Sequence, residues 1–170
     1  MGPPAAEFIN QRAQGTRDAL SGKKGVTKLA GENGWHEISA CPLYVNDDAA
    51  RANQMMQDTL TANATGLDAF VLEGGWPLFA PQAYSQVVAP IMDKIQSGKF
   101  VSVSADTLGP ELQALKDHKV NVLVGQRPEE MGYQAAMVMR DLAEGKTVKP
   151  LIHTGLDTCT WKNADTCLKH

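Results

Sequence analysis

The sequence predicts an α/β fold in which helices flank a parallel sheet. Two short apolar segments, FVSVSA at 100–105 and KVNVLVG at 119–125, have the length and composition of buried strands. Each is followed by a polar residue and then by a proline, Pro110 or Pro128, in the first turn of a predicted helix. The same alternation recurs along the chain, which favours right-handed βαβ units and a three-layer α/β/α arrangement.

The first part of the chain is predicted to form helix, loop, strand and helix. Apolar residues at helical spacing predict a helix over about 4–20, and a glycine-rich loop with a short strand at 26–30 follows it. The segment HEISACPLYV predicts a strand over 36–45. Asn46, Asp47 and Asp48 are good N-caps for the next helix, over about 48–62.

The second part continues the alternation. LDAFVLE predicts a buried strand at 67–73, and the helix predicted over 81–98 should be kinked or split at Pro90, which lacks an N–H. After the strands at 100–105 and 119–125, a helix is predicted over 128–144. PLIHTG at 150–155 predicts a short last strand, and TWKNADTC a terminal turn or helix.

Composition excludes several classes of function. The 170 residues, 43% of them hydrophobic, indicate one domain or one lobe of a larger protein. A net charge of −3 with scattered Lys and Arg argues against nucleic-acid binding. We expect no cofactor and no metal, because the glycine turn at 73–77 carries neither GxGxxG nor GK[ST] and the sequence has no cluster of His and Cys. The start, MGPPAAEFIN, lacks the features of a signal peptide, so the sequence by itself predicts a cytoplasmic protein.

The three cysteines leave two interpretations open. Cys159 and Cys167 lie close together near the end of the chain and could form a disulfide in an oxidising compartment. Cys41 is isolated in the sequence but could pair with either of them. The alternative is three thiols that form no bond at all.

Polar residues at the ends of predicted strands indicate a binding site. Asp106 and Gln126 end two successive strands, and ligands of open parallel sheets bind beyond the carboxyl ends of the strands. A carboxylate and a carboxamide together can bind a neutral molecule rich in hydroxyl groups. The alternative is that both residues only cap the following helices, but two successive junctions favour the site.

Three further positions belong to the same hypothesis. Glu73, Gly74 and Trp76 follow the strand at 67–73, and the indole could stack on a sugar or simply close the end of the core. Arg12 lies beside the apolar stripe of the first helix, where it either extends to solvent or directs its donors at a ligand. Asp47 lies at another strand-to-helix junction, where capping is favoured over ligand contact.

The order of these motifs resembles type I periplasmic sugar-binding proteins, the ribose- and galactose-like receptors of ABC importers. The family's strand ending in Asp is similar to Ala105-Asp106, and its later strand ending in Gln-x-Pro is similar to Gln126-Arg127-Pro128. A Met-Gly helix start and a Gly-Lys turn follow, as in Met131-Gly132 and Gly145-Lys146. Upstream, Arg12 with Gly15 resembles the family's Arg-x-x-Gly helix.

The resemblance implies a site for a monosaccharide-like sugar or polyol. It implies that Arg12, Asp106 and Gln126 hydrogen-bond the ligand. Two positions depart from the family pattern: Gly74 stands where an amide side chain is frequent, and Asp47 where an aromatic side chain is frequent. Any contact at the first of these positions would then come from the backbone, from Glu73 or from Trp76.

The resemblance also implies a division of the chain. Residues 1–126 are expected to form the carboxyl-terminal ligand-binding lobe. Residues 127–147 would form a helix that packs on an amino-terminal lobe missing from this sequence. Residues 148–170 would form a return strand and tail, so we expect a fragment of a two-lobed protein. Without a second lobe, Met131, Tyr133, Met137 and Leu142 would be exposed and would favour self-association through the helix at 128–144.

The function implied is the solute-binding component of a sugar ABC transporter, located in the periplasm, with permease subunits as partners of the full-length protein. A first alternative is the effector-sensing domain of a lac-repressor-type transcription regulator. A second is an α/β hydrolase or transferase using Asp106, although no GxSxG motif or Ser/His/Asp arrangement supports catalysis.

Overall fold

The structure is a computed structural model and describes residues 7–168. It is built around a four-stranded sheet. The strands are β1 (Ala69–Leu72), β2 (Val101–Ala105), β3 (Val122–Gln126) and β4 (Leu156–Thr160), adjacent in that order. β1, β2 and β3 run parallel, which confirms the predicted α/β class. β4 pairs with β3 in the antiparallel direction, so the sheet is mixed and not wholly parallel.

Within residues 7–168 the structure has six helices. They are α1 (Glu7–Ser21), α2 (Ala49–Ala62), α3 (Pro81–Val88), α4 (Met92–Gln96), α5 (Gly109–Lys116) and α6 (Pro128–Ala143), with short 3₁₀ turns at Glu32–Gly34, Trp76–Phe79 and Ala89–Ile91. The predicted start of the first helix, at residues 4–6, lies outside the described residues.

Local chemistry accounts for the helix boundaries. Asp48 caps α2, because its side chain accepts a hydrogen bond from the N–H of Arg51 (2.9 Å). Pro90 interrupts the predicted 81–98 helix, since it has no N–H to donate, and the chain passes through a 3₁₀ turn between α3 and α4. This break confirms the predicted kink.

The core lies on one face of the sheet. Alternate strand residues such as Phe70, Leu72 and Leu123 point into it and are almost fully buried. Helices α2 to α5 supply the opposing side chains, among them Met56, Tyr84, Val88, Ile95 and Leu115. On the other face, Val71 and Val101 are 37% and 40% exposed, so within residues 7–168 that face is only partly covered.

Three predicted strands are absent from their predicted positions. Residues 36–45 form turns and irregular backbone, and the short strand expected at 26–30 is reduced to one bridge between Ala30 and His36. Pro42 has no N–H for a ladder, while Val45 is still fully buried. The predicted strand at 150–155 is also wrong: the last strand begins at Leu156.

The tail is held against the core by covalent and polar contacts. Cys159, at the buried centre of β4, forms a disulfide with Cys167, and their Cα atoms are 5.3 Å apart. Trp161 donates its indole N–H to the carbonyl of Val120 (2.6 Å) and stacks on His118. Cys41 is a half-buried free thiol, and burial raises its pKa.

α6 differs from the other long helices because none of its residues is buried. Met131, Tyr133 and Leu142 are exposed, as predicted, whereas Met137 is half-buried. Met139, which the sequence did not single out, is 70% exposed. Within residues 7–168, none of the helices combines the length and apolar character needed to span a bilayer.

Candidate functional site

Asp106 and Gln126 meet at the carboxyl edge of the sheet. Asp106 directly follows β2, and Gln126 is the last residue of β3. The two strands are parallel neighbours, with Ala105 opposite Val124. The side-chain amide of Gln126 donates a hydrogen bond to Asp106 Oδ1 at 2.9 Å. Gln126 is exposed and Asp106 half-buried, so both can still reach a molecule placed beyond the strand ends.

The backbone at Asp106 has an unusual conformation. Its φ of 80° lies in the left-handed region, which costs a non-glycine residue on the order of 1–3 kcal/mol. The N–H of Asp106 donates to the carbonyl of Val124 (2.8 Å), which fixes this residue to the end of β3. A conformation that is retained at such a cost is typical of functional positions.

Arg12 connects α1 to the ends of β1 and β2. Its Nη1 donates to the carbonyl oxygen of Glu73 (2.7 Å), and its Nη2 donates to Asp106 Oδ1 (3.3 Å). The guanidinium also lies 5.5 Å from the centre of the Phe8 ring. The side chain therefore faces the strand ends and not bulk solvent, and it forms one chain with Asp106 and Gln126.

Glu73 extends this chain of contacts at the end of β1. The hydroxyl of Thr16, on α1, donates to Glu73 Oε1 at 3.1 Å. Burial raises the pKa of the Glu73 carboxyl, and the hydrogen bond from Thr16 and the charge of Arg12 oppose that rise. Thr16 is a site neighbour that the sequence did not single out.

Residues 73–76, here called the 73–76 bend, need two glycines because side chains occupy the space around them. A Cβ on Gly74 would overlap the indole of Trp76, and a Cβ on Gly75 would overlap Glu111 Oε1. Trp76 is half-buried and packs against the core. It therefore closes the end of the core.

A cleft of about 890 Å³ opens beside Asp106 and Gln126. Tyr133 on α6 and Asp157 on β4 line its other side, together with Arg127. Arg127 is paired with Asp157: its Nε and Nη2 lie 2.9 and 2.8 Å from Asp157 Oδ1. Both arginines at this edge, Arg12 and Arg127, are thus already paired with carboxylates.

Glu111 lies beneath the site and was not predicted. It is fully buried in the first turn of α5, where Oε2 accepts a hydrogen bond from the N–H of Leu108 (2.8 Å). Burial raises the pKa of this carboxyl to about 7; the Leu108 hydrogen bond opposes the rise and the charge of Asp106 adds to it. The Leu-Gly-Pro-Glu sequence, with Glu at the third helical position, is the signal that could have identified this capping role.

Asp47 is not connected to this cluster. It is exposed and has a φ of 59°. Among residues 7–168, no hydrogen bond or ion pair joins it to the other predicted site residues, and the adjacent Asp48 provides the helix cap. The part of the chain that the structure describes contains no group of three or more His, Cys, Asp or Glu side chains arranged to hold a metal ion.

The chain is similar to one family of known domains. The model of the family described as periplasmic binding protein domain matches residues 1–147. Among curated proteins, none matches this chain.

Solved structures share the fold. An ABC transporter solute-binding protein from Agrobacterium vitis, bound with α-D-tagatopyranose, is 20% identical with a TM-score of 0.71; the match covers 97% of this chain and 50% of that one. One from Bacillus halodurans, with bound myo-inositol, is 18% identical with a TM-score of 0.69, covering 96% and 50%. One from Burkholderia graminis, in complex with D-arabinose, is 25% identical with a TM-score of 0.60, covering 73% and 42%. The chain therefore spans half or less of the length of these proteins.

Proposed function

We propose that this chain, which belongs to the periplasmic binding protein domain family, contributes one wall of a binding site for a neutral sugar or polyol. The observation that carries the proposal is the chain of contacts from Arg12 to Asp106 to Gln126 at the carboxyl edge of the sheet. It offers N–H donors and carboxylate and amide acceptors within one hydrogen-bonded group, which suits a ring bearing several hydroxyl groups.

Electrostatics favour a neutral ligand over an anionic one. Arg12 and Arg127 each have a carboxylate partner, so neither is a free cation for a ligand carboxylate or phosphate. Asp106, Glu73 and Glu111 add acidic groups around the strand ends. An anion would have to be taken out of water next to these groups, which is unfavourable.

The family consists of binding proteins, so the chain is a binding protein and the hydrolase or transferase alternative is wrong. The three solved structures described above are transport receptors with bound sugars or a polyol. They support a role as the solute-binding component of a sugar ABC transporter, in preference to the sensing domain of a transcription regulator. In that role the protein would act in the periplasm and deliver its ligand to permease subunits.

We also propose how the chain is divided. Residues 1–126 form a ligand-binding lobe, and the strand and tail within 148–170 return to it, which is supported by the pairing of β4 with β3. Residues 127–147 pack on a second lobe, supported by the absence of any buried residue in α6. That second lobe would supply the opposite wall of the sugar site.

Nuclear magnetic resonance on the isotope-labelled chain tests the sugar site. D-tagatose, D-arabinose and myo-inositol at high concentration should shift the signals of Arg12, Asp106 and Gln126 before any others. Asp106→Asn removes a charged acceptor and should reduce these shifts several-fold. Asp58→Asn, on the exposed side of α2, is the matched control and should leave them unchanged. Sugars that shift no signal at the strand ends, in a folded chain, would contradict the proposal.

A further inference from the structure

Glu111 has a hydrogen-bonding arrangement that capping alone does not explain. Its Oε2 satisfies the Leu108 N–H, as a capping box requires. Its Oε1 is fully buried and has no hydrogen-bond partner among residues 7–168. The nearby hydroxyl of Ser104 donates to the carbonyl of Ala105 (3.1 Å) and also lies close enough to the Glu111 carboxyl to lower its pKa. A buried polar atom left in this state is costly, so its retention needs a reason.

The unpartnered oxygen lies against the 73–76 bend. It occupies the space that a side chain on Gly75 would fill, and the ring of Phe79 borders the same space. Gly74, the preceding residue, carries the indole of Trp76 directly over its backbone. The carboxyl of Glu111 therefore lies against the bend that carries Trp76 and supports it.

We propose that Glu111 is a positioning residue that sets the geometry of the 73–76 bend, and through it the placement of Trp76 at the ligand site. The role of the bend in ligand binding rests on the proposed function, whereas the contact between Glu111 and the bend does not. Glu111 acts through Gly75 and Trp76 and does not itself need to touch a ligand.

The two protonation states of Glu111 should hold the bend differently. As a neutral acid, Oε1 tolerates its apolar contacts with Gly75 and Phe79. Ionisation gives the carboxylate a charge that the Leu108 N–H and the Ser104 hydroxyl stabilise only in part, which favours movement of the bend or entry of water. Two charged groups face Glu111 from neighbouring elements: Asp106 after β2 opposes ionisation, and Arg12 on α1 favours it. With a pKa of about 7, both states are accessible near neutral pH.

The test is a ligand-free pH titration of the Gly74 and Gly75 amide signals between about pH 5 and 9. In the wild type both signals should move with a midpoint near 7. Glu111→Gln keeps the shape and a donor, so its signals should stay at the wild-type low-pH positions throughout. Glu111→Asp, which withdraws the carboxyl from Gly75, is a second variant and should shrink the movement. Glu129→Gln, an exposed residue in the first turn of α6, is the matched control and should titrate like the wild type.

The outcomes separate this proposal from the proposed function. Amide signals that do not titrate in the wild type, or that titrate equally in Glu111→Gln, would overturn the positioning role. D-tagatose is then added to the same samples at low and at high pH. If the sugar-induced shifts depend on pH in the wild type but not in Glu111→Gln, Glu111 acts on the ligand site. If sugar shifts no signals but the Gly74 and Gly75 amide signals still titrate with Glu111, the result counts against the sugar site and still confirms that Glu111 positions the bend.

Discussion

Gly74 is required by the side chain that lies over it and not by its backbone angles. A Cβ at this position would overlap the six-membered part of the Trp76 indole. We therefore expect Gly74→Ala to displace the indole and to destabilise the protein by about 1–3 kcal/mol, the usual cost of overpacking. Thermal unfolding followed by circular dichroism measures the change.

Gly15→Ala is the matched control. Gly15 lies in α1 with open space where a Cβ would be placed. Replacing a helical glycine by alanine should stabilise the protein by up to roughly 1 kcal/mol. Equal effects of the two substitutions would show that Trp76 moves freely and that the close approach at Gly74 is unimportant.

Glu111 should make the stability of the protein depend on pH. Its pKa is raised from 4.5 to about 7 in the folded state, so the folded protein binds the proton more tightly than the unfolded chain does. This contribution is complete below about pH 4.5 and is lost as the pH rises through 7. The shift corresponds to a loss of up to roughly 3 kcal/mol in the free energy of unfolding.

Urea unfolding between pH 5 and pH 8 measures this loss. Glu111→Gln should be nearly insensitive to pH over that interval apart from the contributions of other groups. A wild type and a variant with the same pH profile would mean that Glu111 does not titrate in the folded protein.

Among single residues, those at strand ends could be predicted from the sequence and those acting beneath the site could not. Asp106 and Gln126 follow from strand order, because parallel strands bring their carboxyl ends to one edge, whereas the role expected of Arg12, on α1, came from the family resemblance. Glu111 looks like an ordinary helix-start residue in the sequence. Its burial depends on the packing of α5 beneath the 73–76 bend, which local patterns do not encode.

At the scale of elements, α6 presents an apolar surface that the described chain leaves open. Tyr133, Met139 and Leu142 are 62%, 70% and 56% exposed. We propose that the isolated chain self-associates through this helix, because such surfaces are buried where a partner is present. Met139→Lys should lower the fraction of oligomer seen by analytical ultracentrifugation, with a change in stability within about 0.5 kcal/mol.

Gln57→Lys supplies the control for Met139→Lys. It adds the same charge to an exposed position on α2, far along the chain from α6, and should leave the oligomer fraction unchanged. If the wild-type chain is monomeric at all concentrations, or if both variants behave alike, α6 is not the surface of association.

Elements with strong periodicity were predicted within a few residues, and those that depend on a distant partner were not. The strands beginning near Val101 and Val122 follow from their short apolar runs. The segment at 36–45 has the composition of a strand, but a strand also needs a neighbour that accepts its hydrogen bonds, and this segment has none in the described sheet. The antiparallel direction of β4 is likewise set by its pairing with β3 and not by its own sequence.

At the scale of the whole molecule, the proposed site lies at one edge of the sheet, so the described chain contacts a ligand from one side only. Gln126 is exposed, and the cleft beside it is open. Hydrogen bonds to a sugar would therefore compete with water on the ligand's other face. We expect calorimetry to give the 170-residue chain a Kd for sugars no tighter than about 1 mM. Micromolar affinity of this chain alone would show that a second wall is not needed.

The position of the disulfide gives the chain an order of assembly during biosynthesis. Cys159 lies in β4, the last strand, and Cys167 follows it near the end of the sequence. The bond can therefore close only after the segments that form β1, β2 and β3 have all been synthesised. A product that stopped short of Cys167 could not form this bond, so the oxidised pair marks a chain synthesised at least as far as Cys167.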